Sequence, residues 1–312
     1  MIFRPATADP ADLDRATALP GDGGPVRLLA PATIRGEFAA GRMRPEWTWF
    51  AEDEDGEVLA RALWWGRADS GHPIALDCLH VRAGTSDPAA VAAGLLEAGH
   101  TAFGTRPGYT VTLPRDWRAD PAAVEAVAWR RQAAHACGPT REIERLRYEW
   151  TPSAGTAPPT GRLVFREGGD EEFLDAFVRL SRGSLDLATR DELRTATPEE
   201  VARADFAFYR DCPGERSWWR LAHLPDGTLA GLAIPSATPY HRNVGYLGVV
   251  PEQRGRGLID EVLAEITRFH AAAGAERITA TTDTVNTPMA AAFDRAGYEA
   301  TEVRLVLEEE SG

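Results

Sequence analysis

Val249-Val250-Pro251-Glu252-Gln253-Arg254-Gly255-Arg256-Gly257-Leu258 joins two runs of different periodicity. Upstream, Val244 to Val250 is rich in β-branched and apolar residues; downstream, Leu258, Val262, Ile266 and Phe269 recur at near-helical spacing. The period changes from about 2 to about 3.6 across the segment, which predicts a strand, a loop and a helix in that order. Two glycines let the backbone turn tightly and approach a ligand, and the unpaired N–H groups that open a helix attract anions such as a pyrophosphate. The segment reads either as a phosphate cradle or as a tight turn, and its surroundings decide between the two.

Those surroundings have a definite order. A hairpin is predicted from Ser217 to Ala222, Asp226-Gly227, and Thr228 to Ile234, then the strand, the Arg/Gly loop and its helix. A strand from Arg277 to Thr282 follows, then Asn286-Thr287-Pro288-Met289 opening a second helix that ends at Arg295-Ala296-Gly297-Tyr298, and a last strand from Glu302 to Glu308. This arrangement resembles the Gcn5-related N-acetyltransferase (GNAT) family, whose Arg/Gln-x-x-Gly-x-Gly/Ala loop binds the pyrophosphate of acetyl-coenzyme A. Arg254, Gly257 and Ile259 fill the three motif positions, with Ile259 in place of the usual small residue.

The stretch Thr151 to Gly161, rich in Pro, Gly, Ser and Thr, reads as a linker that halves the chain. The first half repeats the element order of the second: helix (Pro31 to Gly41), hairpin (Trp47 to Glu52, Val58 to Trp65), strand (Pro73 to Val81), helix (Pro88 to Phe103), strand (Tyr109 to Leu113), helix (Pro121 to Ala136), strand (Glu142 to Trp150). The closing segments match best, Ile143 to Glu149 against Glu302 to Glu308. The expected fold is therefore α/β with a mixed central sheet, as two tandem acetyltransferase-like domains over residues 1–150 and 162–312. In the first half the loop position holds Arg82-Ala83-Gly84-Thr85-Ser86-Asp87-Pro88. A carboxylate at a helix N-terminus is a good cap and repels a pyrophosphate, so this half is expected to be degenerate and free of cofactor.

Composition narrows the partners. The formal net charge of −13 opposes a grip on nucleic acid or an anionic membrane surface, which needs a basic patch. All 34 basic residues are arginines. Cys78, Cys137 and Cys212 are widely spaced and match no metal-site pattern, so no metal is expected, and the thiols read as reduced. No apolar run approaches ~18 residues and the N-terminus lacks a signal-peptide layout, which places the expected protein in the cytoplasm. The expected partners are a small-molecule amine and, at most, further copies of the same chain in a homo-oligomer.

Acetyl transfer to an amine asks for positioning, loss of a proton from the amine, donors for the developing oxyanion and a proton for the thiolate. The resemblance implies that the cofactor acetyl-CoA is held by Arg254, Gly255, Arg256, Gly257 and Leu258, by backbone along Leu247, Val249 and Val250, by Asn286, and by Phe293 against the pantetheine arm. That same strand also reads simply as a buried core strand. Family members often carry a Glu about six residues before the strand's end. Counting back from Val249 puts Asn243 there and His241 two residues earlier on the same face, unless a bulge flips the alternation. Asn cannot act as a base; His241 can, though a His in Pro-Tyr-His-Arg-Asn also reads as a solvated loop residue. The family's proton-donating Tyr stands seven residues after the Asn, where this chain has Phe293, leaving Tyr246 or Tyr240 as substitutes. The helical pair within Glu171 to Arg210, with its joining loop, is where acceptor choice is expected to reside. Two functions follow: an acetyl-CoA-dependent N-acetyltransferase working by direct attack in a ternary complex, or a coenzyme-A-binding protein of this fold without that activity.

Overall fold

The computed structural model describes residues 1–18 and 24–309. The chain divides into two compact units, one made of Met1–Glu144 with the chain from Glu302, the other of Arg145–Thr301.

In the first unit the elements are β1 (Ile2–Pro5), α1 (Pro10–Ala18), α2 (Pro31–Ala39), β2 (Thr48–Glu52), β3 (Val58–Trp65), β4 (Ala75–Val81), α3 (Pro88–Phe103), β5 (Gly108–Leu113), α4 (Pro121–Ala136) and the start of β6 (Arg141–Trp150). Local chemistry sets their ends: Asp87 and Asp120 cap α3 and α4 through backbone N–H groups, each with Pro at the first turn, and Gly104 closes α3 in the left-handed region. The strands β1 to β4 pair antiparallel in sequence order. β4 then pairs β5 in parallel, only at Ala75↔Gly108 and Leu76↔Tyr109.

The second unit contains β7 (Val164–Arg166), α5 (Asp170–Ser181), α6 (Leu187–Glu192), α7 (Pro198–Asp211), β8 (Arg220–His223), β9 (Leu229–Ala237), β10 (Arg242–Val249), α8 (Leu258–Ala272), β11 (Ile278–Asp283), α9 (Thr287–Arg295) and the start of β12 (Glu299–Glu308). β7, β8, β9 and β10 form an antiparallel run. Alternation along β9 sends Leu232 and Ile234 to a core with Phe173, Phe177 and Leu180 of α5 and Ala202 and Phe206 of α7. Ala233 goes to the opposite core, built on Val262 and Ile266 of α8 and Ala292 and Phe293 of α9. One face of the sheet thus carries α5 and α7, and the other α8 and α9.

The two closing strands are exchanged. Val303 to Leu307 of β12 pair with Leu113 to Tyr109 of β5 in the first unit, whereas Arg145 to Trp150 of β6 pair antiparallel with Asp283 to Ile278 of β11 in the second. The expected divisions at 150 and 162 therefore differ from the units observed at Glu144 and Thr301. The proline-rich segment 151–161 lies inside the second unit, where it begins with a 3-10 turn at Pro152–Ala154 and accepts a hydrogen bond from Trp150 Nε1 at Gly155 O (2.8 Å). Proline and glycine there belong to the connection from β6 to β7, two strands that are not neighbours in the strand order, inside the second unit.

β1, α1, β7 and α6 have no counterpart in the sequence reading. β1, β7 and α6 are short, and periodicity needs several turns or alternations to be visible, while α1 carries one large apolar residue, Leu13, and so shows no period. Among the described residues no helix is long and apolar enough to cross a membrane.

Candidate active site

The site begins where β10 leaves β11. These parallel strands pair only at Arg242↔Ile278 and Asn243↔Thr279, and beyond that point they diverge. The cause is a bulge between Asn243 and Tyr246, with Gly245 at φ +70°, where a Cβ would lie 2.3 Å from Ile234 O. Only glycine fits there. With its amide oriented by the hydrogen-bond network, Asn243 donates to Thr279 O (2.7 Å) and accepts from Gly245 N (3.1 Å), fastening the bulge. The bulge also breaks the period-2 count on which the placing of His241 and Asn243 relative to Val249 rested.

Past the bulge, Val250 N donates to Ala230 O on the β9 side (2.9 Å). Backbone alternation then turns the N–H groups of Leu247 and Val249 toward the gap. At the end of β10 the loop carries Gly255 at φ +73° and Gly257 at φ +69°, and Gly257 is the N-cap of α8, with no side chain capping it. A Cβ at either glycine would meet nothing within 4 Å, so the backbone faces open space. An uncapped helix start behind a bare glycine loop is a cradle of the size and polarity that a pyrophosphate fills.

The side chains of the loop behave differently from one another. Arg254 is turned back, donating from Nε to Val249 O (3.0 Å) and from Nη1 to Gly183 O (2.5 Å), and so ties the cradle to the turn after α5. Arg256 is exposed and bonds the side chain of Gln253. Leu258 is buried, and Ile259 packs on the α8 core, which accommodates its bulk at the third motif position. Asn286 caps α9 by accepting from Met289 N. Phe293 is 1% exposed, stacked on Tyr148 with ring centroids 4.8 Å apart and tilted against Tyr298 at 5.2 Å.

The structure does not bring His241 to the cradle. It precedes the paired end of β10, eight residues before Val249, which is about 26 Å of extended strand at about 3.3 Å per residue. Thr238 Oγ1 (3.0 Å) and Thr279 Oγ1 (3.3 Å) lie at its Nδ1, and Arg147 Nη2 (3.3 Å) lies at its Nε2. Partial burial, then Arg147 and Arg277, push its pKa down to about 4, so the ring is neutral across the physiological range. Tyr240 lies in the preceding turn, 55% exposed. Tyr246 is within the site, past the bulge on the α5/α7 face, with its ring 5.0 Å from Phe177 and 5.2 Å from Tyr209. Burial raises its pKa, so its hydroxyl stays protonated.

One group had no place in the sequence reading. Val201, Ala202, Asp205, Phe206 and Tyr209 share one face of α7, and Asp205 is the charged residue in that otherwise apolar stripe. The signal was present as an interruption of the helical period, but an acid on a helix ordinarily reads as solvated. Here desolvation, then Glu192 and Asp186, raise its pKa to about 7.

In the first unit, the position corresponding to the cradle is a cleft of about 570 Å³ lined by Leu59, Arg82, Gly84, Asp87 and Val91 among others. Asp87 Oδ1 accepts from Ala90 N (2.9 Å), and Arg82 is paired with Glu57 (3.3 Å). The N-terminus that would meet a phosphate thus already holds an anion.

The profile of the acetyltransferase (GNAT) family matches residues 187–298. Among solved structures, a GCN5-related N-acetyltransferase from Sphaerobacter thermophilus is similar over 99% of this chain and 95% of its own, with 16% identity and a TM-score of 0.58. A glucosamine N-acetyltransferase region of a fungal multi-domain GH3 β-N-acetylglucosaminidase is similar over 98% of this chain and 38% of that one, with 15% identity and a TM-score of 0.56. At such identities the likeness is one of fold. No curated protein sequence matches the chain.

Proposed function

Because residues 187–298 belong to the acetyltransferase (GNAT) family, we propose that the chain is an acetyl-CoA-dependent N-acetyltransferase acting on a small-molecule amine by direct attack in a ternary complex. The observation that carries this reading is the opening of β10 from β11 beside an uncapped, glycine-lined helix start. The backbone N–H groups of Gly255 to Leu258 would hold the pyrophosphate, and those of Leu247 and Val249 would face the thioester oxygen. The thioester supplies an activated acyl group; the chain supplies place and donors. The helices α5 and α7 would cover the acceptor, with Tyr246 the hydroxyl positioned to give a proton to the thiolate.

A second reading has its own observation. Phe293, at the family's proton-donor position, is sealed in an aromatic stack without a hydroxyl. That favours a coenzyme-A-binding protein of this fold that does not transfer acetyl groups. Release of free thiol from acetyl-CoA, followed against a panel of primary amines, separates the two. Amine-dependent release supports the enzyme; tight coenzyme A binding with no release above the rate in buffer supports the second reading.

A further inference from the structure

β10 and β11 part after Asn243↔Thr279 and end at Val249 and Asp283, and one short segment is fastened to both ends. On the β10 side, Arg254 folds back so that Nε donates to Val249 O (3.0 Å) and Nη1 donates to Gly183 O (2.5 Å). On the β11 side, Asp283 Oδ2 accepts from Leu187 N (2.6 Å), while Asp283 Oδ1 accepts from Arg145 Nε (3.0 Å). Residues 183–187 therefore run from one bank of the gap to the other. Four peptide steps reach about 14 Å at most, so the fastenings hold the two ends of the segment within that distance of each other. The segment leaves α5 by a turn in which Gly183 N (2.7 Å) and Ser184 N (3.1 Å) donate to Ser181 O, with Gly183 at φ +135°. A Cβ on Gly183 would lie 3.4 Å from Arg254 Nη1 and 3.9 Å from Pro251 Cγ, so the backbone there passes close over the loop that follows β10. The segment ends where Asp186 caps α6 through Thr189 N (2.9 Å).

The fastening at Asp283 is the stronger of the two. Its carboxylate is 1% exposed, and a buried charge is tolerated only where donors answer it. Arg145 answers one oxygen and Leu187 N the other, so lifting the segment leaves an oxygen of a buried carboxylate without its donor. Arg254 has two of its three side-chain nitrogens on backbone carbonyls, one of β10 and one of the segment. On the N-acetyltransferase reading, we propose that residues 183–187 form a strap across the acceptor side of the β10–β11 gap, with Asp283 and Arg254 as the positioning residues that hold it. Neither touches the amine or the thioester. They fix the strap past which the amine comes, and with it the place from which nitrogen meets the carbonyl carbon. Misplacing an attacking atom by about 1 Å costs on the order of a hundredfold in rate, so a loosened strap acts on transfer without any change in the reacting groups.

The test measures amide hydrogen exchange at Ser184 to Leu187 in the full chain, for wild type, Asp283→Ala and Asp283→Asn. Both substitutions remove the charge that pairs with Arg145, but only Asn keeps an oxygen able to accept from Leu187 N, so the difference between them reports the fastening alone. Asp283→Ala is expected to raise exchange of the Leu187 amide at least tenfold, with Asp283→Asn near wild type. Arg254→Met removes the other fastening and leaves every buried carboxylate with its donors, and it is expected to raise exchange across the same residues. With acetyl-CoA and the amine of the panel that gives the fastest thiol release, kcat/KM for the amine is expected to fall at least tenfold in Asp283→Ala and to recover in Asp283→Asn. Coenzyme A affinity, by calorimetry, is expected to stay within threefold in both. Equal exchange in wild type, Asp283→Ala and Arg254→Met overturns the strap. Raised exchange with an unchanged kcat/KM for the amine, or with coenzyme A affinity falling in step, overturns its part in placing the acceptor. If no amine releases thiol with the wild type, the acetyltransferase reading fails, and the exchange measurements still decide the strap.

Discussion

Tyr148 and Phe293 stack with ring centroids 4.8 Å apart and planes inclined by 24°, each 1% exposed. The ring of Tyr148 comes from β6, the strand that closes the first half of the sequence but pairs with β11. At the place where a family member offers a phenol to the leaving thiolate, this chain therefore has a two-ring wall belonging to the core. Phe293→Ala is expected to cost about 3–5 kcal/mol in denaturant unfolding. Phe293→Tyr should fold and change turnover by only a few-fold, because its hydroxyl enters a packed stack. A hundredfold gain in turnover would show that the missing acid had been limiting.

At Gly257 two costs combine, since a side chain at φ +69° is strained and its atoms project into the open side of the cradle. Gly257→Val is expected to lower coenzyme A affinity at least tenfold. Equal affinities by calorimetry would remove the cofactor assignment.

The first unit keeps the parting of β4 from β5 but carries the Asp87 carboxylate at the start of α3. Titration with coenzyme A is therefore expected to saturate at one molecule per chain, and Asp87→Ser to leave that stoichiometry unchanged, since Arg82 remains paired with Glu57. Two molecules per wild-type chain would show that the first unit also binds.

His241 and Asp205 should give pH dependences of opposite sign. The folded-state pKa of His241, about 4, lies below its ordinary 6.5, so the stability it contributes is present above pH 6.5 and is lost as pH falls toward 4. That of Asp205, about 7, lies above its ordinary 3.8, so stability is present below about pH 4 and is lost as pH rises through 7. His241→Gln should flatten the acid limb of the stability curve. Asp205→Asn should gain stability relative to wild type between pH 4 and 8, by on the order of 2 kcal/mol at the upper end. Parallel wild-type and variant curves would mean that neither group titrates as placed.

Local pattern in the sequence determined most of the elements. The change of period across Val249 to Leu258 became β10 and α8, and Asp87-Pro88, Asp120-Pro121 and Thr197-Pro198 became helix starts, because caps and periodicity act over a few residues. What acts over long separations was decided only by tertiary structure. Ile143 to Glu149 and Glu302 to Glu308 carry interchangeable strand patterns, and nothing in either states which strand it will pair with; the exchange of partners follows from packing in the assembled sheets. The bulge at Gly245 was equally hidden, since a single extra residue leaves the composition of a strand unchanged while redirecting His241 and Asn243. Asp205 was visible as a letter but not as an acid with a raised pKa, because its partial burial and the company of Glu192 and Asp186 exist only once α7 lies on its sheet. Spacing along the chain fixes which residues share a face, and only the fold fixes what that face meets.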